Sequence, residues 1–310
     1  MTYSAVVRAL LVVNPQATAT TPAGREILAR ALSADLKLEV LETNCRGHAT
    51  DAAAKAAAEG IDLVVAHGGD GTVNEVVNGV LALGTGTNAP LLGVVPGGSA
   101  NVFAGALGLP RDPVEATHRL LKAIEAGREK LIGLGRADSR WFTFNAGMGW
   151  DAEVVASVDG QRRKQASVVM YARTTLTTYV RQAIRPPAIT ISLPDEEPVT
   201  DVRAAMICNT SPWSYLGSRP LPLVPSSSFD RGLGLYALRS LSAPAVVRAS
   251  AQLLLGCAQP RGRHLLLRDD VPHIWVSSDK PLRVQVDGDL VGVRKRVQLV
   301  AVPNALRVVV

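Results

Sequence analysis

The sequence has few aromatic residues, few cysteines and no long apolar run, and each shortage narrows what it can do. Phe, Trp and Tyr make up 4% of its 310 residues, so Val, Leu, Ile and Ala must fill the core. With no aromatic stacking array and no recognised motif, a nucleic-acid-binding role has only net charge behind it. Cys45, Cys208 and Cys257 are odd in number and far apart, with no CxxC pair or zinc spacing. Small buried thiols in a reducing compartment are the simplest account. No stretch reaches the roughly 18 apolar residues of a membrane-spanning helix, because Arg248 and Gln252 break the run from Ala243 to Ala258. No signal-peptide pattern opens the chain: Arg8 interrupts the first apolar run and Asn14-Pro15 ends it. No GxGxxG follows the first strand and no GxSxG occurs, so neither Rossmann hydride transfer nor a nucleophile elbow is supported. His118, His264 and His273 stand singly, without metal or triad spacing. These absences place the chain in the cytoplasm, with room for a peripheral membrane contact.

What is present begins with charge. A formal net charge of +6 and a pI near 9.5 suit an anionic partner, whether nucleotide, acidic membrane or nucleic acid. The first 130 residues alternate strand and helix signals. Val6–Val13, Leu36–Leu41, Ile61–Ala66 and Leu91–Val95 read as strands. Pro22–Ala34, Ala49–Ala58, Thr72–Leu83, Ser99–Leu107 and Asp112–Ala126 read as helices. Such a rhythm predicts an open, mostly parallel sheet with flanking helices, whose ligands bind at the carboxyl ends of the strands.

After about residue 130 the pattern changes to short alternating runs separated by Pro, Gly, Ser and Asp. Trp141–Asn145, Ala188–Leu193, Val202–Asn209, Leu233–Arg239, His264–Leu267, His273–Val276, Leu282–Val286 and Val297–Val302 are strand candidates. Helical stretches at Ser167–Ala183 and Pro244–Leu255 interrupt them. The expectation is an α/β chain of two domains. Residues 1–130 form the α/β domain, on which a strand at 300–310 can pack back; residues 131–300 form a mainly antiparallel, β-sandwich-like domain.

The strongest local signal is His67-Gly-Gly-Asp-Gly-Thr-Val-Asn-Glu-Val-Val-Asn-Gly79, at a strand-to-helix turn. Glycines without Cβ atoms let the backbone approach a phosphate, and the N–H groups of the next helix attract anionic oxygens. Asp70 is poorly placed to attract phosphate; it makes sense beside a magnesium ion or as a base for an incoming hydroxyl. A second glycine turn, Pro96-Gly97-Gly98-Ser99, follows the fourth strand.

Residues 67–79 resemble the catalytic signature of the diacylglycerol kinase-like lipid kinases, including sphingosine kinases and bacterial relatives. Asn14-Pro15, Thr43 with Gly47-His48-Ala49, Gly93–Pro110, Asn145–Glu153 and Val286-Asp-Gly-Asp289 resemble further motifs of that family, in its order. The resemblance implies ATP-dependent transfer to a lipid hydroxyl. ATP would be held by Asn14, Pro15, Thr43, Gly68, Gly69, Asp70, Gly71, Thr72, Asn74, Gly97, Gly98 and Ser99, with a catalytic Mg²⁺ at Asp70. It makes Asp289 or Asp70 the proton acceptor and points Asp151 at the lipid; a helix N-cap is the competing role for Asp151. Asp289 and Ser99 replace the family's usual Glu and Thr, and Gly105 replaces a frequent Arg. Where many bacterial relatives carry an Asp that holds a structural Mg²⁺, this chain has Arg231, so that metal site is expected to be lost. The expected partners are the lipid substrate and an anionic membrane, met at the inner face through Gln161–Gln165 and the basic helix candidate after it. A homodimer stays open, as do an NAD kinase and a non-catalytic nucleotide- or lipid-binding protein.

Overall fold

The computed structural model describes residues 7–149 and 188–310. Asp151, the Gln161–Gln165 segment and the helix candidate Ser167–Ala183 lie outside the described residues. The chain divides into two compact units, one reaching to Gly133 and including Asn304–Val310, the other spanning Leu134–Pro303.

The first unit is an α/β layer. Its elements are β1 (Arg8–Val13), α1 (Pro22–Ser33), β2 (Lys37–Glu42), α2 (His48–Ala58), β3 (Leu63–Gly68), α3 (Asp70–Val80), β4 (Leu91–Pro96), α4 (Val102–Ala106) and α5 (Pro113–Glu125). The strands run parallel in the order β2-β1-β3-β4. At the β4 edge, Val308 of the last strand pairs in parallel with Leu92. β1, β3 and β4 are continuous apolar runs because helices cover both faces. β2, at the other edge, carries charged residues and is largely exposed.

Local chemistry starts the helices. The Thr21 hydroxyl accepts from the Gly24 N–H, and Asp112 accepts from those of Val114 and Glu115; a proline follows each cap. α1 and α5 bury Leu28, Leu32, Leu120 and Ala123 against β1, β3 and Val95 of β4. α2 meets α3 at backbone distance: a Cβ on Gly79 would lie 2.4 Å from the Thr50 carbonyl oxygen. That approach explains the alanine run of α2, since larger side chains would hold the helices apart.

The second unit contains the rest of β5 (Glu129–Ala137), then β6 (Arg140–Phe142), β7 (Asn145–Gly149), β8 (Ile189–Ser192), β9 (Val199–Val202) and β10 (Ala204–Cys208). The hairpin of β11 (Ser214–Leu216) and β12 (Arg219–Leu221), β13 (Leu233–Leu238), α6 (Ala243–Leu254), β14 (Leu265–Val271), β15 (His273–Val286) and most of β16 (Asp289–Val309) follow. The order β14-β13-β10-β7-β15-β16 is antiparallel throughout. β15 pairs with β8 along its first half and with β7 near its end, so the sheet turns over itself. Ile189 and Ile191 of β8 thereby pack with Ile207 and Leu235 in one core, giving the sandwich-like arrangement.

Several expectations need correction. His273–Val276 and Leu282–Val286 are one strand, with an irregularity in register between Ser277 and Leu282. Val297–Val302 is part of a strand of 21 residues. Trp141–Asn145 straddles two strands, and the glycine segment beginning at Asn145 is itself extended. The helix expected over Ser99–Leu107 shortens to Val102–Ala106, because Asn101 adopts a left-handed conformation, φ 50°. All three cysteines are free, yet only Cys208 is buried and Cys45 is exposed. No helix among the described residues is long and apolar enough to cross a membrane.

Candidate active site

In the first unit the two glycine turns lie side by side at the carboxyl ends of β3 and β4. The Gly97 N–H donates to the Gly68 carbonyl at 2.8 Å. A Cβ on Gly98 would fall 2.6 Å from the Gly69 Cα, and one on Gly97 would lie 2.8 Å from the Thr20 hydroxyl. The second turn is braced by Asn101, whose side chain accepts from the Gly98 N–H at 2.9 Å and donates to the Gly98 carbonyl at 2.7 Å. Asn101 lies within the Gly93–Pro110 segment, whose resemblance assigns it no role. Its left-handed backbone beside two glycines is the local signal for one. Ser99 is exposed at the tip of this turn, while Gly97 is buried beneath it.

The loop after β1 joins the same place. Asn14 donates from Nδ2 to the Thr72 hydroxyl at 3.0 Å and accepts the Gln16 N–H at 2.9 Å. The Ala19 N–H donates to the Gly97 carbonyl at 2.7 Å. Pro15 is exposed in that loop. Thr43, half-buried after β2, donates its N–H to the Val13 carbonyl at 2.8 Å. The structure thus gathers Asn14, Thr72, Gly68, Gly69, Gly97 and Gly98. Asn74 is buried one turn further into α3, where it accepts from Asn78.

The acidic residues of the signature act beyond their own helix. Gly69, not Asp70, is the N-cap of α3, and no side chain caps that terminus. Asp70 accepts through Oδ1 from the Phe103 N–H at 3.1 Å, in the first turn of α4. Glu75 accepts from the Gly47 and Ala49 N–H groups at 2.9 and 3.2 Å, at the start of α2. One helix therefore fixes the entry of two others. His67 is buried, and its Nδ1–H donates to the Val95 carbonyl at 3.1 Å. Burial pulls its pKa below the usual 6.5, with the Val95 bond opposing.

In the second unit, Asp287-Gly288 is a two-residue turn joining β15 to β16, with φ of 48° and 79°. Positive φ at both positions is the type I′ geometry that Asp-Gly favours. The Asp287 carboxylate turns inward and accepts the Thr143 N–H and hydroxyl at 2.7 and 2.8 Å, plus the Phe144 and Asn145 N–H groups at 3.0 Å. Burial pushes its pKa up, against the pull of these donors. Gln285 adds a bond from Nε2 to the Asn145 side-chain oxygen at 2.7 Å and accepts the Gly288 N–H at 2.8 Å. Asp289, half-buried, is the next residue and starts β16. The candidate acceptors Asp70 and Asp289 thus belong to different units.

The structural magnesium implied near residue 231 does not fit the residues present. The Arg231 guanidinium lies 3.1 Å from Asp269 Oδ2 and 3.7 Å from Asp270 Oδ2. Asp270 also accepts the Gly232 N–H at 2.7 Å. A cation that cannot be a ligand occupies the mouth of the carboxylate pair. Among the described residues no three acidic, His or Cys side chains converge as a metal site.

The sequence profile described as the diacylglycerol kinase catalytic domain matches residues 8–131. A diacylglycerol kinase of Bacillus subtilis (strain 168) is 28% identical over 301 residues, covering 92% of this chain and 90% of the relative. A "Probable lipid kinase YegS-like" protein of Chromohalobacter salexigens is 39% identical over 140 residues, 45% of this chain and 43% of that protein. Among solved structures, a diacylglycerol kinase from Bacillus anthracis superposes with a TM-score of 0.71 at 21% identity, over 99% and 97% of the two chains. An NAD kinase from Archaeoglobus fulgidus in complex with ATP superposes with a TM-score of 0.51 at 13% identity, over 97% and 93%. The matching profile over residues 8–131, these relatives and the motifs they share make the chain similar to the diacylglycerol kinase-like lipid kinases.

Proposed function

We propose that the protein transfers the γ-phosphate of ATP to the hydroxyl of a lipid, diacylglycerol or a close relative, acting peripherally at the inner membrane face. The observation that carries this reading is the backbone contact of Gly69 with Gly98 beside the uncapped start of α3. Side chains are missing where a polyphosphate needs backbone N–H groups, and the helix dipole favours its charge. Asn14, Pro15, Thr43, Gly68, Gly69, Gly71, Thr72, Asn74, Gly97, Gly98 and Ser99 would form the nucleotide site. Asn14 holds Thr72 in place there rather than pointing at solvent. The ATP-bound NAD kinase of similar fold supports a nucleotide in such a crevice.

The cradle offers one carboxylate, Asp70, to a Mg²⁺ ion whose other ligands would be phosphate oxygens and water, while the backbone N–H groups would hold the phosphates. When bound, that ion would offset phosphate charge, with Asp70 as its protein ligand. Asp289 would accept the lipid hydroxyl proton, and Asp151 would face the lipid. The hairpin that carries Asp289 is pinned by Asp287, so its carboxylate leaves from a fixed backbone. Phosphoryl transfer needs mainly such positioning and electrostatics.

The test is incubation of the pure protein with labelled ATP, a panel of lipids and NAD, wild type against Asp70→Ala. A labelled lipid from wild type, at least roughly a hundred-fold less from Asp70→Ala, is the expected result. Labelled NAD phosphate instead, or nucleotide binding without transfer, would overturn the reading. Full transfer by Asp70→Ala would remove Asp70 from the mechanism.

A further inference from the structure

α6 is apolar on two opposite faces. Val246, Ala249 and Leu253 pack against Met206, Tyr236 and Leu238 of the second unit. With about 3.6 residues per turn, Val247, Ala251 and Leu254 fall on the far side of the helix, and Leu255 extends that stripe. Val247 is 67% exposed, Leu254 43% and Leu255 78%. A surface helix that packs on one face ordinarily turns polar residues outward. Clustered exposed aliphatics instead mark an interaction surface.

The charge around this stripe has one sign. From Arg239 to Leu267 the sequence carries Arg239, Arg248, Arg261 and Arg263 and no Asp or Glu. The loop holding Arg261 and Arg263 is strapped to the flank of the helix. Arg248 Nε and Gln252 Nε2 donate to the Arg261 carbonyl at 3.0 and 2.9 Å, and the Arg261 N–H donates to Gln252 Oε1 at 2.6 Å. Among the described residues Arg248, Arg261 and Arg263 form no ion pair. Arg231 and Arg268, just beyond this stretch, are both paired with carboxylates.

We infer that this face of α6 docks on an anionic lipid surface. Val247, Leu254 and Leu255 enter the acyl boundary, while Arg261 and Arg263 meet the headgroup phosphates. A second copy of the chain fits less well, because its own arginines would face these across the contact. The inference rests on the lipid-kinase reading for its purpose, but docking can be measured without catalysis.

The experiment is co-sedimentation of the full chain with vesicles of phosphatidylcholine, with and without phosphatidylglycerol. The variants are Val247→Ser/Leu254→Ser/Leu255→Ser and, independently, Arg261→Glu/Arg263→Glu. Wild type should bind the phosphatidylglycerol vesicles and release them at high salt. Each variant should bind at least roughly ten-fold more weakly, with unchanged thermal unfolding and unchanged turnover of a detergent-dispersed lipid. Equal binding by wild type and both variants would overturn the inference. So would a wild-type dimer that the serine variant turns into a monomer with vesicle binding intact. A protein that docks through α6 yet phosphorylates no lipid would retain the docking and refute the kinase reading alone.

Discussion

Gly69 and Gly98 touch backbone to backbone, so that a β-carbon on Gly98 would lie 2.6 Å from the Gly69 α-carbon. Neither side of that contact is a flexible side chain, so the turns would have to separate. Gly98→Ala is expected to lower stability by about 1–3 kcal/mol and to weaken ATP binding at least roughly ten-fold, since the cradle widens. Thermal unfolding and nucleotide titration check the two effects separately. Wild-type affinity in the variant would show that the contact is not part of the nucleotide site.

Asp287 gives a second prediction. An asparagine keeps its shape but turns an NH₂ group toward N–H donors, so part of the cluster loses its acceptor. Asp287→Asn is expected to lower stability by about 2–4 kcal/mol, because buried donors are left without partners. Transfer activity should fall even at temperatures where the variant is folded, since Asp289 leaves from the same turn. Chemical denaturation and initial rates measure the two. A fully stable variant would mean the Thr143–Asn145 donors find other acceptors.

His67 sets a pH window. Its pKa is lowered by burial in the folded protein and returns to about 6.5 on unfolding. The unfolded chain therefore binds more protons below that value, and stability falls as pH drops from 6.5 toward the folded pKa. His67→Gln should flatten the dependence in that window. The slope attributable to His67 is at most about 1.4 kcal/mol per pH unit, read from unfolding midpoints across pH. An unchanged slope in the variant would assign the acid sensitivity to other groups.

Arg231 predicts the response to cations. Its guanidinium is paired with Asp269 and Asp270, and Asp269 Oδ1 is buried without a hydrogen-bond partner. Chelation of divalent ions should leave the thermal unfolding of the nucleotide-free protein unchanged. Arg231→Ala should destabilise by roughly 1 kcal/mol, the scale of a partly exposed pair. Arg231→Asp places a third carboxylate beside the two and should make the unfolding midpoint rise with Mg²⁺. An Mg²⁺-sensitive wild type would contradict the arginine's role.

Legibility in the sequence followed how local the cause was. β1, β3 and β4 could be read because a strand buried on both faces is a plain apolar run. The glycine turns could be read because only glycine allows their close approach, and the motif spacing carried the family resemblance. The roles of Asp70 and Glu75 could not. Each carboxylate caps a helix that begins at least 26 residues away along the chain, and nothing near residue 70 or 75 encodes that distance. The length of β15 was hidden by Asp279-Lys280-Pro281, polar and ring-constrained residues that read as a break. The sheet carries them at an irregular step in its ladder, where the register jumps. Asp287 carries a local signal of its own, since Asp-Gly between two apolar runs marks a tight hairpin.

The return of Asn304–Val310 to the first unit has a consequence for synthesis. Leu306, Val308 and Val309 are buried there, and Arg307 donates to the Ala89 carbonyl. On a ribosome the strand that seals the β4 edge is thus made after the whole second unit. Until it emerges, the nascent layer carries an unpaired edge next to Leu92. A chaperone that shields strand edges would have its longest task on this protein at that stage, and a stop codon before residue 304 would leave the exposed edge permanent.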